Sequence, residues 1–177
     1  LDTVTRVVAT GYGRKRVPFA DQEVTEISCH ARGVHFMLPE AATVIDIGGQ
    51  DSKVIRLGPQ GRVLDFVMND RCAAGTGAFL EQIGRALLLD LDELSGAAMA
   101  ADGAVQVSSM CTVFAQTEVV HLVSEGIDEA RIARGVFASV VERILPLIRR
   151  VDGVAPYALS GGVARLDGQY CAFGFVG

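Results

Sequence analysis

The stretch that decides the fold reads Val44-Ile45-Asp46-Ile47-Gly48-Gly49-Gln50-Asp51-Ser52-Lys53. Its first part belongs to a short apolar run, 43–47, which predicts a buried strand that ends at the glycine pair. Two more strand-like runs follow at 53–57 and 62–68, with a turn at 58–61 between them. Three strands joined by tight turns predict an antiparallel meander, whose first strand delivers Asp46 beside a glycine turn.

The segments around this meander predict helices and a few more strands. Apolar residues recur at helical spacing in 23–38, 78–89, 91–101, 112–124 and 128–151. Short apolar runs predict strands at 4–9, 105–107 and 154–159. The core is aliphatic, because the chain has no Trp and only 6% aromatic residues, and such a core suits buried strands covered by helices. We therefore expect an α/β protein.

Composition narrows the class of protein. The chain has 177 residues, of which 50% are hydrophobic and 21% charged, so it can bury a substantial core and is neither disordered nor fibrous. Its 16 basic and 21 acidic residues leave a net charge of −5, which argues against nucleic acid as a partner. No run approaches the roughly 18 apolar residues of a membrane helix, and the first residues lack a signal-peptide layout. We expect a soluble, cytoplasmic protein without a membrane partner.

Three glycine turns follow strands or open helices, at 48–49, 75–77 and 160–162. Such turns present backbone N–H groups with no side chain in the way, as a polyphosphate requires. A single turn of this kind is ordinary, but three of them with a carboxylate at a strand end predict a nucleotide site in which Asp46 holds Mg²⁺ through water. Asp46 and Asp51 can also be read as turn residues beside glycine. We favour the metal role for Asp46, because a carboxylate on an apolar strand needs a partner.

Two of the four cysteines precede predicted helices. Cys72 lies before 78–89 and Cys111 before 112–124, where the helix dipole and free N–H groups favour an anionic sulfur. A buried, apolar role is the alternative for each. A cubane cluster takes four thiolates, so two per chain predict a cluster shared across a twofold axis. Cys29 is interpreted as a packed residue of a helix, and Cys171 lies in an atypical tail. No disulfide framework is expected.

The remaining chemistry-bearing residues have simpler interpretations. His30, His35 and His121 show no metal-ligand spacing and are interpreted as ordinary helix residues. The run Arg14-Lys15-Arg16 is typical of a solvated turn, and a docking patch is the alternative. Neither a Ser-His-Asp arrangement nor a nucleophile elbow is present.

Six motifs resemble those of one known family. They are Ala9-Thr10-Gly11-Tyr12-Gly13-Arg14, Glu26-Ile27-Ser28-Cys29-His30-Ala31, the stretch 44–53 quoted above, Asn69-Asp70-Arg71-Cys72-Ala73-Ala74-Gly75-Thr76-Gly77, Cys111-Thr112-Val113-Phe114-Ala115 and Ser160-Gly161-Gly162-Val163-Ala164. In this order they resemble the activators of 2-hydroxyacyl-CoA dehydratases and the related ATPase subunits of benzoyl-CoA reductase. The match extends from about residue 4 to residue 164.

The resemblance implies a fold and an activity. It implies the actin-like fold of acetate and sugar kinases, Hsp70 and actin, with two α/β lobes and ATP in the cleft. It further implies a homodimer with one [4Fe-4S] cluster between the subunits. ATP hydrolysis would drive a low-potential electron into a partner, a dehydratase or reductase that acts on a CoA thioester, with ferredoxin or flavodoxin as the donor.

The resemblance also assigns residues to roles. Cys72 and Cys111 would bind the cluster, Asp46 and Gln50 would be catalytic, and Asp46 would also lie on the Mg²⁺ side. The nucleotide would contact the three turns, through Gly48, Gly49, Gln50, Asp51, Gly75, Thr76, Gly77, Gly161 and Gly162.

Both ends of the chain depart from the family pattern. The first phosphate loop of the family, of the form GIDxGSTxxK, is not found, and residues 165–177 do not align. We expect a truncated member in which 1–42 is a remnant of the first lobe, 43–164 is the second lobe with the cluster-binding helices, and 165–177 is a tail. Two alternatives stay open: a sugar or acetate kinase-like enzyme of the same fold, and a non-catalytic regulatory domain that has lost the first phosphate loop.

Overall fold

The computed structural model describes residues 3–69, 75–107 and 112–168 and has a mixed α/β architecture. Its helices and strands, in chain order, are β1 (Val8–Ala9), β2 (Gln22–Glu23), α1 (Glu26–Met37), β3 (Thr43–Ile47), β4 (Ser52–Gly58), β5 (Arg62–Asn69), α2 (Gly77–Leu87), α3 (Leu91–Ala100), α4 (Thr112–Ser124), α5 (Glu129–Arg150) and β6 (Tyr157–Ser160). Single 3₁₀ turns lie at Arg14–Arg16, Pro59–Gly61 and Val163–Arg165.

The main sheet has four strands in the order β5-β4-β3-β6. β3, β4 and β5 form the predicted antiparallel meander, and β6 pairs with β3 in parallel after the chain has passed through α2 to α5. β3 therefore has a neighbour on each side, and all five of its residues are buried. The carboxyl ends of β3 and β6 lie at the same edge of the sheet, since the two strands are parallel.

Helices cover both faces of this sheet, as the apolar strands predict. On one face, Ile27 and Ala31 of α1 pack against a cluster that includes Val44 of β3. On the other face, Ile45 and Ile47 belong to the larger core with α2 to α5. Successive side chains of a strand point to opposite faces, so Asp46 lies on the same side as Val44, beneath α1.

Polar caps fix the ends of several helices. Thr25 accepts a hydrogen bond from the Ser28 N–H at the start of α1. Asp90 and Glu93 form a reciprocal capping box at the start of α3, and Asp128 caps α5. Each such cap contributes about 1 kcal/mol to helix stability. Thr25 thereby sets where α1 begins above the sheet.

Two predicted strands differ from the structure. The strand at 105–107 is wrong: the Val105 N–H donates to the Arg131 carbonyl of α5 rather than to a neighbouring strand. The predicted strand at 4–9 is reduced to β1, which pairs in parallel with β2, a strand that the sequence analysis did not predict. The division into lobes at residues 42 and 164 stays a prediction.

None of the helices in the described part of the chain combines the length and apolar character needed to cross a membrane.

Candidate functional site

Asp46 lies at the centre of a polar cluster at the carboxyl edge of β3. The residue is 5% exposed, and its register places it opposite Lys53 of β4 and Ser160 of β6. Lys53 Nζ lies 3.3 Å from Asp46 Oδ2, and the Ser160 hydroxyl donates to Asp46 Oδ1 at 2.9 Å. Both carboxylate oxygens therefore have a donor, which supplies the partner that a buried charge requires.

Lys53 joins two carboxylates. Its Nζ donates to Asp51 Oδ1 at 2.8 Å as well as to Asp46, and its side chain is 11% exposed. Burial by itself lowers the pKa of Lys53. The hydrogen bond to Asp51 and the negative charges of Asp46 and Asp51 outweigh that effect, so the pKa is raised above 10.5. At neutral pH Lys53 is thus an ammonium that compensates Asp46.

His30 reaches this cluster from α1. Its Nε2 lies 2.9 Å from Ser160 Oγ and 3.7 Å from Asp46 Oδ1. The sequence pattern indicates no more than an ordinary helix residue at His30, whereas the structure places its side chain at the candidate site. Lys53 was also missed, although a signal for it exists: a hairpin that pairs Ile47 with Ser52 sets Asp46 opposite Lys53. No comparable local signal exists for His30, because its position depends on how α1 crosses the sheet.

Backbone hydrogen bonds join two of the predicted glycine turns. The N–H groups of Gly77 and Ala78, in the first turn of α2, donate to the carbonyls of Gly48 and Gly49, both at 2.8 Å. An added Cβ on Gly77 would lie 3.2 Å from the Gly49 Cα, so glycine at that position permits the close approach. These two helix N–H groups are engaged within the protein.

Gly75 and Thr76, the two residues before Gly77, are also held in place within the protein. The Ser52 hydroxyl donates to the Gly75 carbonyl at 2.5 Å. Ser52 and Thr76 are both fully buried. The first two predicted turns therefore form one packed unit at the end of β3.

The third turn, after β6, lies directly against β3. A Cβ on Gly161, whose φ is +90°, would overlap the Ile47 carbonyl oxygen and lie 3.0 Å from Asp46 Oδ1. The backbone is open at Gly49 and Gly162, where an added Cβ would meet no atom within 4 Å. Gln50, which follows Gly49 in the sequence, is exposed. The structure thus brings the three predicted turns, Asp46 and Gln50 to one edge of the sheet.

The predicted cluster ligands Cys72 and Cys111, like Cys171, lie outside the described residues. α4 begins at Thr112, directly after Cys111, and α2 contacts it through a hydrogen bond from Gln82 Nε2 to Gln116 Oε1 at 2.6 Å. The interpretation of Cys29 as a packed residue is wrong: Cys29 is free and exposed on α1. Within 3–69, 75–107 and 112–168, no three His, Cys, Asp or Glu side chains converge in a way that could hold a metal ion.

Comparison with known proteins identifies the family. Residues 1–175 match the family described as "BadF/BadG/BcrA/BcrD ATPase family". The chain belongs to this family. It is 45% identical over 167 residues to the 2-hydroxyisocaproyl-CoA dehydratase activator of Clostridioides difficile, covering 94% of this chain and 63% of that protein. It is 36% identical over 168 residues to a subunit of benzoyl-CoA reductase from Thauera aromatica, covering 93% and 58%.

A solved structure gives the same result. The activator of the 2-hydroxyisocaproyl-CoA dehydratase from Clostridium difficile with bound ADPNP superposes with a TM-score of 0.88 at 44% identity, covering 98% of this chain and 65% of that one. This chain of the ATPase family therefore has the fold of the activators, which is the actin-like α/β fold that the resemblance implies. It spans just under two thirds of the length of the activators that it matches.

Proposed function

We propose that this chain provides the nucleotide-binding and cluster-binding part of an ATP-dependent activator. The activator would pass a low-potential electron to a dehydratase or reductase that acts on a CoA thioester. One observation carries the proposal: three glycine turns meet around the buried carboxylate of Asp46 in a member of an ATPase family. The related activator with bound ADPNP, an ATP analogue, supports ATP as the nucleotide.

The residues at this edge fit a Mg²⁺-nucleotide. Gly49 and Gly162 leave the backbone open to phosphate oxygens, whereas the Gly77 and Ala78 N–H groups are already engaged. Gly75, Thr76 and Gly77 would then support the nucleotide through packing of the Gly48 turn rather than through helix N–H groups. Asp46 would hold Mg²⁺ through water, and a bound Mg²⁺ would neutralise phosphate charge.

Gln50, Asp51 and Lys53 complete the proposed nucleotide site. Gln50 is exposed beside the open backbone, where its amide could orient the water that attacks the terminal phosphate. Asp51 fixes Lys53, and Lys53 forms an ion pair with Asp46. Hydrolysis would consume one water and release ADP and phosphate.

Cys72 and Cys111 are proposed as the ligands of a [4Fe-4S] cluster, which would supply one-electron transfer at low potential. α4 starts one residue after Cys111, and α2 starts five residues after Cys72. α2 and α4 contact each other through Gln82 and Gln116. A shift of either helix would therefore displace the other and change the positions of both cysteines. α2 is also bonded to the Gly48 turn, so it links nucleotide state to the cluster.

A homodimer is proposed from ligand number and from the surface of α4. The cluster takes four thiolates and the chain offers two at helix starts. Near Cys111, α4 exposes several apolar side chains: Val113 is 64% exposed, Phe114 68% and Val120 53%. An apolar surface of this kind is typical of an interface between protein chains. A second copy of the chain would cover it and supply the missing thiolates.

The proposed partners follow from the relatives. Those relatives are activators of dehydratases that act on 2-hydroxyisocaproyl-CoA or lactoyl-CoA, and a component of benzoyl-CoA reductase. We propose a CoA-thioester dehydratase or reductase as the electron acceptor, and ferredoxin or flavodoxin as the donor.

The nucleotide site is tested by Asp46→Asn. This change keeps the shape of the side chain but removes the charge that would attract hydrated Mg²⁺. We expect the affinity for Mg-ADP, measured by calorimetry, to fall about tenfold or more, whereas the affinity for ADP in EDTA changes little. Asp65→Asn, at an exposed position of β5, is the matched control. Equal Mg-ADP affinity in the wild-type and Asp46→Asn proteins would contradict the assignment.

The cluster is tested by anaerobic purification with iron, sulfide and visible-spectrum measurements. The wild-type protein should carry about four irons and four sulfides per dimer with broad blue absorption, and Cys72→Ala and Cys111→Ala should each abolish it, since two thiolates do not hold a cubane. Cys29→Ala is the control and should keep the iron. A colourless wild-type protein after cluster reconstitution would instead favour a kinase-like enzyme of this fold.

A further inference from the structure

We infer that His30 is a positioning residue for Asp46 and acts through the Ser160 hydroxyl. This inference rests on the proposed nucleotide site, but it concerns a residue to which neither the sequence analysis nor the family comparison gives a role. It begins from a continuous chain of contacts across three elements. His30 of α1 lies 2.9 Å from Ser160 of β6, and Ser160 lies 2.9 Å from Asp46 of β3.

The number of available hydrogens determines which group donates in each of these two hydrogen bonds. Asp46, paired with the Lys53 ammonium, is a carboxylate and can only accept hydrogen bonds. Ser160 has one hydroxyl hydrogen, and its contact with Asp46 uses that hydrogen. Ser160 Oγ must therefore accept from His30, so Nε2 of His30 carries a hydrogen. Hydrogen bonds run from His30 to Ser160 and from Ser160 to Asp46.

The consequence for Asp46 is a carboxylate held at both oxygens. Ser160 donates to Oδ1 and Lys53 to Oδ2, which uses one acceptor site on each oxygen and leaves a second on each. Donation from His30 keeps the Ser160 hydroxyl directed at Asp46, because Nε2–H occupies a lone pair of Ser160 Oγ and leaves the hydroxyl hydrogen for Asp46. His30 thereby fixes the orientation of the carboxylate that would receive Mg²⁺-bound water.

The placement of His30 distinguishes it from a packing residue. α1 packs on the sheet through Ile27 and Ala31, which are buried at 8% and 0% exposure. The His30 side chain is 31% exposed and directs its polar atom at the edge where the glycine turns meet. A displacement of α1 would change this contact without any change in the sheet itself.

The first test reads the hydrogen bonds directly and needs no nucleotide. Two-dimensional ¹⁵N–¹H spectra of the imidazoles, recorded above the titration range of histidine, should show His30 as the Nε2–H tautomer. In Ser160→Ala the His30 signals should shift, whereas those of His121, exposed on α4, should not. An Nδ1–H tautomer for His30, or signals unaffected by Ser160→Ala, would overturn the inference.

The second test reads the effect on Asp46. Calorimetry with ADP, in Mg²⁺ and in EDTA, isolates the contribution of the metal to affinity. Ser160→Ala should reduce that contribution about tenfold and His30→Ala about threefold to tenfold, since each weakens a hydrogen bond in a chain that ends on a charge. His30→Gln, whose amide N–H can replace Nε2–H, should remain within about twofold of wild type. His35→Ala, elsewhere on α1, is the control.

The outcomes separate this inference from the proposed function. A wild-type chain that binds no Mg-ADP contradicts the proposed function, and the tautomer measurement then decides the hydrogen-bond chain by itself. A wild-type chain that binds Mg-ADP, with His30→Ala equal to it or His30→Gln as poor as His30→Ala, overturns the positioning role alone. Circular dichroism of each variant verifies that α1 and the sheet are retained.

Discussion

Asp46 is a buried charged residue on a strand that is otherwise largely apolar. The energetic cost of burying its charge is offset by the residues that lie opposite it on the two neighbouring strands. Lys53 supplies the compensating charge and Ser160 a hydroxyl donor. Removing one partner from a buried ion pair is more costly than the pair is worth, because the other charge is left without compensation. A single substitution among the polar residues around Asp46 should therefore destabilise the fold, whether or not a ligand is present.

Lys53→Met should destabilise the fold in the absence of any ligand. Asp46 would keep Ser160 but lose its ammonium partner, and we expect the free energy of unfolding to fall by about 3 kcal/mol. Urea denaturation at pH 7.5 measures it. Lys15→Met, at an exposed lysine, should stay within about 0.5 kcal/mol of wild type. A similar small loss in both variants would show that Lys53 does not compensate Asp46.

The pH dependence of the same pair follows from the sign of its shift. The pKa of folded Lys53 is raised above 10.5, so its stabilisation is fully present below pH 10.5 and is lost as the pH rises through the folded pKa. The difference in unfolding free energy between wild type and Lys53→Met should be constant from about pH 7 to 9. It should shrink above about pH 10.5.

At the scale of elements, the close approach of the turn after β6 to the end of β3 positions the third glycine turn. Gly161→Ala would place a methyl group on the Ile47 carbonyl and force an L-residue to φ +90°. We expect a loss of about 3 kcal/mol in unfolding free energy. Thermal and urea denaturation measure it.

Gly162→Ala is the matched control for that change, because a Cβ there meets no atom within 4 Å and the residue has φ −63°. Its stability should equal that of wild type. If Gly161→Ala were as stable as Gly162→Ala, the turn would not be packed against β3 as the structure shows.

The sequence predicts those elements whose pattern lies within one short segment, and it does not predict contacts between distant segments. The meander at 43–68 was predicted because period and turn residues mark each strand, and the observed pairing confirms it. The strand at 105–107 was misassigned because valines that flank a polar residue resemble a strand, whereas the backbone N–H of Val105 donates to the Arg131 carbonyl of α5. The glycine turns were found, but the contact of His30 with Ser160 joins residues 130 positions apart, and no local pattern encodes it.

At the scale of the whole molecule, one edge of the sheet and one pair of helices are mechanically joined. The turn after β3 accepts hydrogen bonds from the first turn of α2, and α2 contacts α4. The predicted cluster ligands come before these two helices in the sequence, Cys72 five residues before α2 and Cys111 one residue before α4. Because packed elements move as units rather than deforming continuously, a change at the glycine turns would be transmitted to the helix starts. This arrangement makes the assembly state a test of the whole proposal.

The number of thiolate ligands that the proposed [4Fe-4S] cluster needs predicts how the oligomeric state depends on iron. The proposed site takes two cysteines per chain, Cys72 and Cys111, and a [4Fe-4S] cluster takes four, so a twofold axis through the cluster would supply the second pair. The cluster would then be a principal tie between subunits, and its loss in air should weaken the dimer. Light scattering on anaerobic protein should give a dimer that dissociates after air exposure and chelation. A monomer with a full cluster would exclude the bridging site, and a dimer that persists without iron would show that the apolar face of α4 is sufficient to hold it.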